Sequence, residues 1–341
     1  MTAAGDPRPV VCFGEMLLRL SPSPGTLLAR ANSLDLAIGG AEANVAVALA
    51  ALGQPVRMLT VLPDNALGRR ATAALAQAGV DTSCITRRPG RLGLYFFEPP
   101  SGPIGGRVTY DRTGSAFATS RVEDIAFGDA LDGASLLHIS GITPALGPEG
   151  VELALAASRA ARDAGIAVCF DGNYRANLWE AWDGDARAIL TQLVAEATIL
   201  IGNHRDISLL LGQTFSGDGP DRRREAAEAA FSAFGRLEAI ASTARHVDRA
   251  MAQRLAARID LRESHWQTDE VRIDPVVDRI GAGDAFAAGV LLRWLGGSNA
   301  QAMAETGLAL AAMKHGVIGD SIAVTIEELE AFDPAGSDVR R

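Results

Sequence analysis

Short, unbroken apolar runs, each closing on a glycine or a polar residue, recur along this chain with helix-length segments between them. Residues 9–14 read P-V-V-C-F-G, 135–141 S-L-L-H-I-S-G, 166–173 I-A-V-C-F-D-G-N and 197–203 A-T-I-L-I-G-N. Between the early runs lie A-E-A-N-V-A-V-A-L-A-A-L-G and N-A-L-G-R-R-A-T-A-A-L-A-Q-A-G. A strand buried on both faces is apolar throughout, and parallel neighbours need a long crossover, so the pattern predicts a mostly parallel sheet between two helical layers. In such folds functional residues lie beyond the carboxyl ends of the strands. Asp171, Asn173, Asn203 and Asp206 occupy that location.

Two stretches break the alternation. Leu17 to Asp35 and Arg91 to Thr119 lack helical periodicity and carry alternating runs, L-G-L-Y-F-F-E and R-V-T-Y-D-R, separated by Pro and Gly clusters. They fit two pieces of one small antiparallel sheet that could serve as a lid, and equally a pair of surface hairpins. The division expected is a large α/β domain formed by 1–16, 36–90 and 120–341, and a small β-lid formed by 17–35 and 91–119.

The 341 residues suffice for one large domain with an appendage. No long apolar stretch suggests a membrane span, and the N-terminus shows no leader pattern, so the expected location is the cytoplasm. A formal charge of −9 gives no basic footprint for nucleic acid. Arg222 to Arg224, the one basic run, is read as a solvated helix face. Cys12, Cys84 and Cys169 are read as reduced thiols, the first and last buried in strands. Asp333 to Arg341 are polar and expected to fray.

The segment that carries chemistry is V-D-R-I-G-A-G-D-A-F, Val277 to Phe286. Gly281 and Gly283 allow backbone to approach an anion, and the N–H groups of Ile280 to Gly283, Ala282 included, open a helix whose positive end favours phosphate. Asp284 beside that anion is either a helix cap or a group that handles a proton. Gly39 and Gly40 open a second helix, with Asn44 one turn in.

Together these segments resemble the two signatures of the ribokinase-like (PfkB) carbohydrate kinases: Gly39-Gly40-Ala41-Glu42-Ala43-Asn44 early, and Gly281-Ala282-Gly283-Asp284 preceded by Asp278 late. Within that family F-G-E-M-L-L-R-L-S-P, V-T-Y-D-R and D-G-N-Y-R-A-N-L-W are most similar to the 2-keto-3-deoxygluconate kinases. The resemblance implies a ribokinase-like three-layer α/β sandwich with a small antiparallel β-lid. It implies transfer of the ATP γ-phosphate to the terminal hydroxyl of an acid sugar, with Asp284 as general base and the turn from Gly281 to Gly283 as anion hole. Gly39, Gly40, Asn44, Tyr95, Tyr110, Arg112 and Arg175 would line the sugar pocket, where a guanidinium suits a carboxylate. Mg²⁺ is implied, bound mainly through nucleotide phosphates and water, with Asp206 as the protein carboxylate. A monovalent cation is a further possible cofactor, and pairing of two lids would give a homo-oligomer.

The chain departs from the family in two places. The Asn-x-x-Glu position reads Asn203-His204-Arg205-Asp206, with a shorter acid; His204 is read as a surface residue. Where relatives carry a Gly-rich ATP loop, this chain has A-I-A-S-T-A-R-H-V-D-R-A, so Thr243 and Arg245, with His246, are the candidates for the triphosphate. Asp320 in K-H-G-V-I-G-D is read as a cap or turn residue. The competing readings are a kinase of fructose, ribose or a nucleoside, and a non-catalytic sensor. Gluconate- and galactonate-derived substrates both remain open.

Overall fold

In the computed structural model, residues 7–333 apart from Pro103 and Ala250 are described. The expected fraying of the C-terminus therefore falls, from residue 334 on, outside the described residues. The large sheet has ten strands: β1 (Val10–Phe13), β4 (Val56–Pro63), β5 (Ile85–Arg88), β8 (Leu136–Ser140), β9 (Ala167–Asp171), β10 (Ile199–Ile201), β11 (Ala239–Arg249), β12 (Ala252–Leu261), β13 (His265–Gln267) and β14 (Val271–Ile273). Their order is β13-β12-β11-β10-β9-β8-β1-β4-β5, with β14 also on β12. From β11 to β5 every pairing is parallel; β12, β13 and β14 extend the sheet antiparallel.

Alternate residues of the central strands feed two cores. Val10 and Cys12 face one helical layer, Val11 and Phe13 the other, and all four are fully buried. This is the three-layer sandwich that the unbroken apolar runs demand. Among the described residues no helix is long and apolar enough to cross a membrane.

The remaining strands, β2 (Leu17–Ser21), β3 (Asp35–Gly39), β6 (Gly93–Glu98) and β7 (Arg107–Asp111), form a second sheet in the order β3-β2-β6-β7. Its outer pairs are antiparallel and its central pair, β2 with β6, is parallel. The small sheet is thus one object and not two separate hairpins. It runs through Gly39, so β3 carries the lid straight into helix Ala41–Ala51 without an intervening linker.

The basic run is only partly solvated. Arg222 pairs with exposed Glu225, whereas Arg223 donates to Gln267 and Arg224 to the Leu261 carbonyl, tying helix Gly219–Ala233 to β12 and β13. His204 is half-buried as the first residue of helix His204–Leu211, because its ring lies against Gly217.

Candidate active site

The carboxyl ends of the strands, the underside of the small sheet and the start of helix Ala282–Leu295 enclose one cleft of about 980 Å³. Gly40, Asn44, Tyr95, Tyr110, Arg112 and Arg175 line it, as do Asn203, Asp206, Thr243, Arg245, Gly281, Gly283 and Asp284. Residues distant in sequence meet there: Asn44 and Asp284, 240 positions apart, are hydrogen-bonded. Two of the expected residues, Gly39 and Ala282, do not line it.

Asp284 sits in the first turn of its helix. Asn44 Nδ2 donates to its Oδ2 at 2.6 Å, so the two glycine-led helices are joined through their functional side chains. Enclosure pushes the Asp284 carboxyl up to about 7, with Glu42 and Asp320 adding to the rise and the Asn44 hydrogen bond and Arg175 opposing it. It caps nothing in its own helix: the N-cap is Gly281, in the left-handed region at φ 79°. The bland reading of Asp284 as a cap therefore fails.

The turn before it is already partly committed. Ile280 N–H donates to Asp278 Oδ1 at 3.0 Å and Ala282 N–H to the Arg279 carbonyl at 3.3 Å. Two of the four amides expected to face a phosphate are thereby occupied; Ile280, Gly281 and Gly283 line the cleft, and of these the Ile280 amide is the one already engaged by Asp278. The anion hole is narrower than the sequence suggests.

Asp320 is no cap. It is buried, accepts from Arg19 Nη1 at 3.0 Å and from the Tyr95 hydroxyl, and shares Arg19 with Asp278 at 2.7 Å. A Cβ on Gly39 would strike the Asp320 carboxylate, and one on Gly281 its backbone carbonyl. The close approach of Asp320 leaves no room for a side chain at Gly39. Tyr95 likewise directs its hydroxyl to Asp320, while its ring faces Tyr110 across the β6–β7 pair at 5.9 Å.

Arg112 is buried, and its Nε and Nη2 both donate to Glu15, leaving Nη1 as the unengaged edge of the guanidinium. The carboxylate-gripping cation expected on a lid hairpin is therefore pre-oriented by an internal acid. Arg175, at the mouth of the cleft, is exposed and forms no ion pair among the described residues.

Asn203 and Asp206 form a capping box: Asn203 Oδ1 accepts from Arg205 N–H at 2.8 Å, and Asp206 Oδ2 from Asn203 N–H at 2.7 Å. Asp206 fits between the ends of β9 and β10 because both following residues are glycines; a Cβ on Gly172 or Gly202 would lie 3.2–3.3 Å from it. Burial raises Asp206, and it raises Asp171 well above the carboxylate range, with Asp284, Asp206 and Glu42 adding to that second shift. Glu42 is raised by burial too, against hydrogen bonds from the Ser140 amide and hydroxyl. Among the described residues no group of three or more His, Cys, Asp or Glu is arranged to hold a metal by itself.

The rim opposes this acidic floor. Arg175, Arg205, Arg245 and Arg279 all line the cleft, and none has an ion-pair partner among the described residues. Burial lowers Arg245, and Arg279 lowers it further by like-charge repulsion. Two repelling guanidinium groups without a carboxylate are arranged for a polyanion. Sequence reasoning selected Thr243 and Arg245 but missed Arg205 and Arg279, although both stand inside the quoted motifs N-H-R-D and V-D-R-I-G. It also missed Glu15, Glu42 and Arg19, whose partners lie far away in the chain.

Comparison with known proteins agrees with this geometry. The model of the pfkB family carbohydrate kinases matches residues 8–326. A 2-dehydro-3-deoxygalactonokinase of Haloferax volcanii is 35% identical over 94% of this chain and 95% of its own. A 2-dehydro-3-deoxygluconokinase of Bacillus subtilis is 27% identical, covering 94% of each. The crystal structure of 2-dehydro-3-deoxygluconokinase from Thermotoga maritima superposes with a TM-score of 0.90 at 34% identity, over 96% of this chain and 98% of that one. The chain belongs to the pfkB family of carbohydrate kinases.

Proposed function

We propose that the protein phosphorylates 2-keto-3-deoxygluconate, or its galactonate-derived epimer, at the terminal hydroxyl with ATP. The observation that carries this reading is Asp284, a carboxyl held near neutrality by enclosure, oriented by Asn44, at the phosphate-favouring start of a helix. A base with a pKa near the working pH is the most effective one. Deprotonated Asp284 takes the proton of the terminal hydroxyl as that oxygen bonds to the γ-phosphorus and the bond to the ADP oxygen breaks. The products are the 6-phosphorylated acid sugar, 2-keto-3-deoxy-6-phosphogluconate for the gluconate-derived substrate, and ADP. The amides of Gly281 and Gly283 take the charge on the transferring group.

Arg245, Arg279 and Thr243 hold the triphosphate in place of a Gly-rich loop. Arg112 through Nη1, Arg175 and Tyr110 receive the sugar carboxylate. Asp171 and Asp206, oxygen donors both raised by burial and the first also by the second, suit Mg²⁺ bound through water and phosphate, which when present neutralises phosphate charge. The proposed setting is the cytoplasm. The exposed Leu36 and Tyr110 on the edge strands of the small sheet support pairing of two lids, which a Leu36→Lys variant of unchanged solution mass would disprove.

The relatives' names support the acid sugar, and both epimers occur among them. The kinase reading is tested by ADP release with the acid sugar, with the product's phosphate position read by NMR. Asp284→Asn should slow turnover by roughly 10² to 10⁴ while sugar affinity holds. Sugar binding without ATP consumption by the unaltered protein would point to a sensor instead.

A further inference from the structure

Of the 32 lysine and arginine residues in this chain, only one is a lysine, and it is Lys314. It is also fully buried, which is rare for lysine. It ends helix Ala300–Lys314, where the negative end of the helix dipole favours a cation. The next residue, His315, accepts from the Val277 and Asp278 amides at 2.8 and 3.1 Å, so this helix end docks against the segment leading into the phosphate-binding turn.

Among the described residues the ammonium donates to backbone carbonyls alone: Val317 O at 2.8 Å and Asp278 O at 3.3 Å. Carbonyl oxygens converging on a compact charge are also how a protein holds a bare monovalent ion. Asp278 in turn fixes the turn, accepting from Ile280 N–H at 3.0 Å and Gly319 N–H at 3.1 Å. Burial lowers the Lys314 pKa, and the carboxylates of Asp278, Asp320 and Asp284 oppose that fall. Arg19 and Lys314 offset Asp278 and Asp320 in charge, and a further cation bound to the same two carbonyls would be set against the ammonium already there.

We propose that Lys314 is a built-in cation for the anion hole, a positioning residue whose ammonium holds the 278–283 turn in shape and fills the place a monovalent metal ion would take. A free ion is then unnecessary, and the chain does not fit the monovalent cation that its sequence allows. The chemistry also explains the residue type. A guanidinium is planar and spreads its charge over a broad fork, whereas an ammonium is a point charge close to potassium in size.

This inference rests on the kinase reading, and one experiment separates the two. ADP release and thermal melting are followed for the unaltered protein in K⁺, NH₄⁺, Na⁺ and tetramethylammonium salts at equal ionic strength, with Mg²⁺ constant. The rate is expected to agree within about twofold across the four salts, with one melting temperature. Lys314→Ala should lose at least tenfold in turnover in tetramethylammonium, recover part of it in K⁺ or NH₄⁺, and melt higher in those two salts. A merely structural lysine would give the loss without the rescue. Activation of the unaltered protein fivefold or more by K⁺ overturns the proposal, whether or not Lys314→Ala folds; so does an alanine variant as active as its parent. Absence of ADP release in every salt refutes the kinase reading itself.

Discussion

Removing the Asn44 amide should move the protonation of Asp284 and not merely weaken the enzyme. Asn44 Nδ2 lies 2.6 Å from Asp284 Oδ2 and is the main group opposing the rise of that carboxyl to about 7. A hydrogen bond to a charged group contributes about 1.5–3 kcal/mol. At 1.36 kcal/mol per pKa unit, its loss in Asn44→Ala raises Asp284 by about 1–2 units, to about 8–9. Asp284 works as a base only when ionised. At pH 7 the ionised fraction would fall from about one half to between about one tenth and one hundredth, a loss of about 5- to 50-fold in kcat/KM. The sign fixes the diagnostic: the loss should shrink as pH rises and largely vanish by about pH 9.5. The assay is a coupled ADP-release profile of kcat/KM from pH 5.5 to 9.5 for parent and variant. A uniform loss at every pH, with the acid limb unmoved, would show that Asn44 serves only sugar binding and refute the reasoning.

Three further outcomes follow from the same geometry. Gly281→Ala places a Cβ against the Asp320 carbonyl at a φ that costs an L-residue about 1–2 kcal/mol, and should cut turnover by roughly 10² or more; a near-normal rate would mean the turn is not the anion hole. Arg279→Ala and Arg245→Ala should each raise the KM for ATP by about tenfold with the sugar KM steady, as read in initial-rate titrations; unchanged ATP affinity removes the triphosphate role. Because the folded state raises the Asp284 pKa, its ionised form costs stability that is lost as pH rises from about 4 through about 7. Asp284→Asn should therefore raise the melting temperature, more at pH 8 than at pH 5. A smaller gain at pH 8 would contradict the stated pKa shift.

The layered fold was legible because apolar runs such as A-V-C-F and I-L-I have no other way to be buried, and the two glycine-led helix starts announced the cleft. What was not legible depends on pairings that only the tertiary structure makes. Asp320 reads as a turn residue until Arg19 and Tyr95, some 301 and 225 positions away, are found on it. Nothing in the sequence around Gly39 shows that Asp320 packs where its side chain would be. Arg112 reads as a free cation until Glu15 is found holding it. Arg205 and Arg279 look like ordinary surface arginines in sequence. Their meaning comes from a cleft that both of them line, where neither has an ion-pair partner among the described residues. Lys314 was visible from composition alone, as a single lysine among many arginines, but its environment was not.

The central claim is that this cleft transfers phosphate to an acid sugar and uses its carboxylate to choose it. The most direct measurement is kcat/KM for ADP release over 2-keto-3-deoxygluconate, its galactonate-derived epimer, fructose and ribose. One or both acid sugars should exceed the neutral sugars by a factor on the order of 10⁴, since arginines left unpaired by a neutral sugar impose a large discrimination. Fructose or ribose turned over as well as either acid sugar would contradict the account.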